Sequence, residues 1–189
     1  MKSIFRAFLL LLPLAALTLA QGEPQVKVIP LTLPANSNIG EIKGNISAGQ
    51  TIPLRWAESS SVACFPGTRF EMFDGNHVFY RITLPAASAM TVTLKPEGNA
   101  RLSLYGIRQG MAAGDQPLPP NIRSAISCEA SYPLYANLPS GRRVANRDDG
   151  TRKFDFISVN SPYSILIGVA GAGKRTEGAY TLTVTIKPR

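Results

Sequence analysis

Gly168, four intervening residues and then Gly173-Lys174 reproduce the opening of a phosphate-binding loop at the end of the apolar run Tyr163–Val169. In such a loop backbone amides cradle phosphate oxygens, the lysine reaches the terminal phosphates, and the next Ser or Thr hydroxyl ligates magnesium. Here Arg175 holds the hydroxyl's position and Thr176 comes one residue late. The loop must also open a helix whose N-terminal amides face the anion. Downstream, instead, Tyr180, Leu182, Val184 and Ile186 alternate with Thr181, Thr183 and Thr185, the period of a half-buried strand. The sequence runs only three residues past Ile186, so no α/β domain is expected beyond it. The spacing is therefore read as a β-hairpin closing an antiparallel sheet. Gly168, Gly171, Gly173 and Gly178 supply positive φ in its turn, and no nucleotide partner is expected.

Nucleophilic catalysis has one candidate pair, a cysteine with His77, the only histidine. His77 comes after Asp74-Gly75-Asn76 and reads as the residue leaving a turn. The two cysteines, Cys64 and Cys128, form no Cys-x-x-Cys motif, and in an oxidising compartment an even pair reads as one disulfide. No Gly-x-Ser-x-Gly elbow accompanies the lone histidine, so a hydrolase triad has nothing to rest on. No metal-ligand spacing stands out, and no cofactor is expected. Carboxylate chemistry remains as an alternative function. Glu58, Glu71, Asp74, Glu97 and Glu129 would have to meet in space as the acid pair of an exported hydrolase; read singly, they are solvated strand ends. Trp56 and the tyrosines would suit a sugar-stacking face, or a core.

The densest basic run is Arg142-Arg143-Val-Ala-Asn-Arg147-Asp-Asp-Gly-Thr-Arg152-Lys153. Asp148 and Asp149 partly neutralise it, and no aromatic interleaves it for base stacking. It reads as a solvated loop whose Arg142, Arg143, Arg147, Arg152 and Lys153 are the candidates for binding an anion.

These residues must be positioned by strands, because helical periodicity is hard to find. Short alternating segments are expected at Val26–Ile29, Ile39–Gly44, Thr51–Trp56, Thr68–Phe73, His77–Leu84, Ala89–Lys95, Arg101–Ile107, Ser124–Cys128, Tyr132–Leu138 and Thr151–Val159, before the final pair. Ile39–Gly44 is expected to pair with Thr51–Trp56, and Thr68–Phe73 with His77–Leu84 across Asp74-Gly75-Asn76. Gln109–Ile122 is a Gly/Pro-rich loop. Strands at this spacing argue for an all-β fold, an antiparallel β-sandwich.

Compartment is written at the other end. Met1–Arg6 is a short basic segment, Ala7–Leu17 an apolar core, and Thr18-Leu19-Ala20 places small residues before Gln21. The apolar run is too short for a comfortable membrane span and Pro13 interrupts it. Residues 1–20 are thus expected to be a signal peptide, with no lipid-anchoring cysteine after the cut and no transmembrane segment in the mature chain. Residues 21–38, punctuated by proline, form an extended N-terminal arm, and 39–189 the sandwich. Cleavage removes Lys2 and Arg6 and leaves 18 basic against 12 acidic residues, a net +6. That field favours anionic partners.

Phe79-Tyr-Arg-Ile-Thr-Leu-Pro-Ala-Ala-Ser-Ala-Met-Thr-Val-Thr-Leu94 and the later Arg101-Leu-Ser-Leu-Tyr-Gly106 resemble the first half of a bacterial pre-peptidase C-terminal domain. Pro162-Tyr163-Ser-Ile-Leu-Ile-Gly-Val169 and Glu177-Gly-Ala-Tyr-Thr-Leu-Thr-Val184 resemble its second half, and Gly40–Gly44 with Gly49–Ile52 its lead-in. The likeness covers residues 39–186. It implies a jelly-roll-like sandwich of the kind appended to exported enzymes without catalysing anything itself. Where the family commonly has an acidic pair before leu-x-leu-tyr, this chain has Asn99-Ala100-Arg101, so the residues with which some members bind calcium are replaced. The functional expectation is an exported, noncatalytic binding or structural module of the periplasm or cell envelope, or a secreted one. Its partner would be an exported protein or an acidic envelope polysaccharide.

Overall fold

Alternating β-branched and aromatic residues need two apolar layers to face one another, and the described residues supply them with ten strands. A computed structural model of the protein describes residues 26–58, 62, 64–65, 67–111, 116–133 and 148–189. The expected signal peptide, residues 1–20, and the start of the arm, residues 21–25, lie outside the described residues. The strands are β1 (Val28–Pro30), β2 (Ile39–Asn45), β3 (Gln50–Thr51), β4 (Asn76–Leu84), β5 (Ser88–Pro96), β6 (Leu102–Arg108), β7 (Ser127–Ser131), β8 (Arg152–Ile157), β9 (Tyr163–Gly171) and β10 (Ala179–Pro188). One sheet has the order β1-β4-β9-β6-β7, with β3 also pairing β4, and the other the order β2-β10-β5-β8. All pairings are antiparallel except β1 with β4. The fold is the expected antiparallel β-sandwich, all-β in class.

Between the sheets lies a dry core. Val78, Tyr80, Ile82 and Leu84 of β4, Val92 and Leu94 of β5, and Leu182 and Val184 of β10 all point into it. Two phenols meet there, Tyr80 and Tyr180, with their hydroxyls 2.8 Å apart, so each buried O–H group has a partner. The other face of the first sheet is buried as well. Phe79, Tyr105, Ile107, Leu166 and Ala170 point away from the partner sheet, into a second cluster with Trp56, Phe65, Met72 and Phe73. Burial on both faces explains why Tyr163–Gly171 is almost continuously apolar rather than alternating.

Several strand expectations are corrected. Thr68–Phe73 is not a strand: Gly67–Met72 winds as a 3-10 helix. That delivers Phe73 to stack on Phe65, ring centroids 3.9 Å apart. Ile39–Gly44 does not pair with Thr51–Trp56, because β2 joins β10 while β3 joins β4 in the opposite sheet. Arg55–Glu58 turns as a 3-10 helix and buries Trp56. The strand expected at Ser124–Cys128 lies later, as β7 at Ser127–Ser131. Tyr132 and Pro133 are not in a strand, and the rest of Tyr132–Leu138 lies outside the described residues. The final pair is not a hairpin. β9 and β10 sit in different sheets, so residues 172–178 cross from one layer to the other.

Candidate functional site

Cys64 and Cys128 are joined, with Cα atoms 5.2 Å apart. The bond ties the segment that covers the second face of the first sheet to β7. His77 lies under that cover on β4, only 2 % exposed. Nε2 sits 2.6 Å from the Phe73 carbonyl, which can only accept, so Nε2 carries the proton. Nδ1 then accepts from the Tyr105 hydroxyl at 2.9 Å. Burial lowers the His77 pKa to about 4, against the smaller opposing effects of the Phe73 carbonyl and Asp74. This imidazole is neutral at pH 7, bonded through both nitrogens, and shares no site with the bridged cysteines. Trp56 is likewise core: its ring lies 5.9 Å from Phe65 and 6.2 Å from Tyr105, 7 % exposed, so it offers no sugar-stacking face.

The phosphate-loop spacing is built for a different task. Among its four glycines only Gly173 has positive φ, at 66°. Gly168 is there for space, since a Cβ would stand 2.2 Å from the Tyr105 ring. The amides that would cradle a phosphate are already donating: Gly173 N–H to the Glu71 carbonyl at 2.7 Å, and Lys174 N–H to Asp74 Oδ1 at 2.6 Å. A carboxylate thus occupies the place an anion would need, and the exposed segment simply straps the two layers.

The five basic candidates do not stand together as a described patch. Arg142, Arg143 and Arg147 lie outside the described residues. Arg152 is not in a solvated loop: it begins β8, is 6 % exposed, and its guanidinium grips Asp148 through Nη1 and Nη2 at 2.7 and 2.8 Å. Lys153 is exposed and faces Asp155 at 3.4 Å. The hydrogen bonds from Arg152 hold the Asp148 carboxyl below its ordinary pKa, opposite to what a general acid requires. Among the described residues, no group of three or more His, Cys, Asp or Glu side chains is placed to hold a metal. No described helix is long and apolar enough to cross a membrane.

A groove forms where β1 and β3 flank β4. It encloses about 840 Å³ and is lined by Val26 and Val28, by residues 50–53, by residues 116–121, and by Arg81. Arg81 is the one charged residue among the described lining residues. Its Nη2 donates to Gln109 Oε1 and to the Gln116 carbonyl, each at 3.2 Å. Gln109, 3 % exposed, donates in turn to the Pro117 carbonyl at 2.7 Å. The proline-rich segment is thereby fastened to β4 and the guanidinium is held in a fixed pose between apolar walls. The alternation of β4 hid Arg81, because Val78, Tyr80, Ile82 and Leu84 defined the inward face and left the other positions to solvent. The readable signal was His77 and Phe79 on that supposedly wet face.

No protein-family model matches the chain, and no curated protein sequence matches it. Among solved structures it is similar to PliG of Aeromonas hydrophila, a periplasmic inhibitor of g-type lysozyme. That pair shares 16 % identity over 85 % of this chain and 96 % of the other, with a TM-score of 0.43. It is similar to the pre-peptidase C-terminal domain of a Bacillus anthracis collagenase, at 9 % identity, 87 % and 99 % coverage and a TM-score of 0.40. It is also similar to CorA, a surface-associated copper-binding protein of Methylomicrobium album BG8, at 8 % identity, 87 % and 98 % coverage and a TM-score of 0.46. A member of the family that the sequence resembles is thus among these structures, at low identity, and the fold assignment rests on the strand pairing itself.

Proposed function

We propose that this chain is an exported, noncatalytic binding module of the cell envelope, and that its groove receives an extended, apolar or proline-containing segment of an exported protein. The observation that carries the reading is the groove's walls, Val26, Val28, Ile52, Leu118, Pro117, Pro119 and Pro120, with the proline-rich side braced by Arg81 of β4 and by Gln109. Walls of this kind suit the apolar and proline side chains of an extended chain. An acidic polysaccharide would call for a row of cations, and one of the row expected from sequence, Arg152, is consumed by Asp148. The noncatalytic part is supported by His77, whose two ring nitrogens serve the interior. Export is supported by the Cys64–Cys128 bond, which belongs to an oxidising compartment.

An array of apolar and proline-containing peptides, read by fluorescence polarisation, tests this. Retained peptides should carry apolar or proline side chains and weaken about tenfold or more in Leu118→Asp, which sets a charge in the apolar wall. Indifference to Leu118→Asp, or preference for a polyuronate over every peptide, would sink the groove reading.

A further inference from the structure

Strands of a sandwich run roughly along one axis, so each connection belongs to one of two ends. The registers define the first end: Leu84 pairs with Tyr163, Arg108 with both Ile165 and Ser127, and Ala89 with both Lys187 and Ile157. Residues 31–38, 85–87 and 158–162, the described parts of 109–126, and the residues after β10 gather there. Every large apolar side chain that stands exposed among the described residues is at this end. They are Ile39 (49 %), Met111 (63 %), Ile126 (51 %), Ile157 (50 %) and Val159 (60 %). The opposite end carries charges of both signs, among them Asp74, Glu97, Asp149, Lys174 and Arg175. Single exposed aliphatics are ordinary, but five at one pole are a surface feature.

The apolar end is also cationic. The Arg108 guanidinium lies 4.9 Å from the centroid of the Tyr163 ring and its Nη1 donates to the Ile157 carbonyl at 3.0 Å. The Ile126 N–H donates to the Arg108 carbonyl at 2.8 Å, so Ile126 and Ile157 flank one arginine. Arg123 and Lys187 are exposed nearby. The connections at this end contain one acidic residue in sequence, Asp115, which lies outside the described residues.

We propose that this end of the sandwich docks on an anionic lipid surface. The aliphatic tips would enter the boundary between headgroups and acyl chains while Arg123, Lys187 and the edge of Arg108 meet lipid phosphates. Two features select that occupant. The tips come from three segments, the start of β2, the β6–β7 connection and the end of β8 with the residues after it, and none lines the groove, an arrangement suited to a fluid apolar medium rather than to one shaped pocket. Arg108, Arg123 and Lys187, against the single acidic residue Asp115 in these connections, complement anionic headgroups, each cation contributing most at low salt. Docking at this end is independent of what fills the groove.

Sedimentation with phosphatidylcholine vesicles, with and without phosphatidylglycerol, decides it. An uncleaved 1–20 segment would enter lipid by itself, so wild type and variants are compared with the same N-terminus, checked by mass. Wild type should pellet with the anionic vesicles and be released by salt. Ile157→Ser with Val159→Ser, and separately Arg123→Glu, should each lower partitioning about tenfold at an unchanged melting temperature. Lys174→Ala with Arg175→Ala, at the far end, should leave it unchanged. If the double Ser variant melts early, Arg123→Glu carries the test. Failure to pellet with anionic vesicles overturns the proposal, including the case where these variants break a complex with a soluble protein instead. Pelleting indifferent to the apolar-end changes, or equally reduced by the far-end pair, overturns it too.

Discussion

His77 shows how one residue type can be read as chemistry and serve as structure. Its ring is neutral because the cover over β4 excludes water, and the folded pKa near 4 lies below the ordinary value of 6.5. As pH falls through 6.5 the unfolded chain takes up a proton that the folded chain refuses until near pH 4. Stability is therefore full above about pH 6.5 and declines below it by about 1.4 kcal/mol per unit, reaching about 3 kcal/mol near pH 4. The sign is that of a group binding more protons unfolded than folded. His77→Gln has no such titration. Urea melts of wild type and variant across this range should show the wild-type slope disappear in the variant, and parallel curves would contradict the buried neutral ring. Nothing in the sequence around His77 announced this. A histidine after Asp-Gly-Asn looks solvated, and its burial depends on Phe73 and Tyr105, the latter brought from 28 residues away.

At the level of elements, the covering segment between β3 and β4 is the least regular part of the described fold. It contributes Trp56, Phe65, Met72 and Phe73 to the second cluster but adds only 3-10 helices to its backbone pairing. The bond from Cys64 to Cys128 closes a separation of 64 residues and pins that cover to β7. In the chain-entropy account such a closure contributes about 4 kcal/mol. Cys64→Ala with Cys128→Ala should lower the melting temperature by about 10 °C, a loss of that size in a domain this long. Hydrogen exchange should rise first in the cover, before the strands of the sandwich core. A native thiol count of two, or a melt unmoved by reduction, would show the pairing to be wrong. The crossover at residues 172–178 is similarly misleading when read locally. Its glycine spacing imitates a nucleotide motif, yet its amides are engaged by Glu71 and Asp74.

The whole molecule is polarised, with aliphatic tips and cations at one end and mixed charge at the other. The groove with Arg81 opens on the flank between. An exported protein with a net positive charge can use such a surface near anionic envelope components, provided it leaves the cytoplasm. The apolar segment Ala7–Leu17 ahead of Thr18-Leu19-Ala20 leads to the expectation that it does. Mass spectrometry of the protein recovered from its native envelope should find an N-terminus at or near Gln21. Recovery of intact Met1 from the cytoplasm would remove the basis for the disulfide's compartment and for the binding role together.

Local alternation by itself determines much of this protein. Val92-Thr-Leu94 and Tyr180-Thr-Leu-Thr-Val184 could only be half-buried strands, Arg175 ruled out a magnesium-binding hydroxyl, and an even pair of cysteines behind an expected signal peptide implied a bridge. A period of two tells a strand which of its faces is dry. It says nothing of the neighbour it will pair with or of what distant segment will cover the other face. Tertiary structure alone decided that β9 and β10 belong to different sheets, that Phe79 and His77 face a second core, and that Arg152 is buried against Asp148. It alone set Arg81 in a groove with the segment after Gln116. Each of these depends on contacts between residues far apart in sequence, made by crossovers and covers whose own residues carry no period to read.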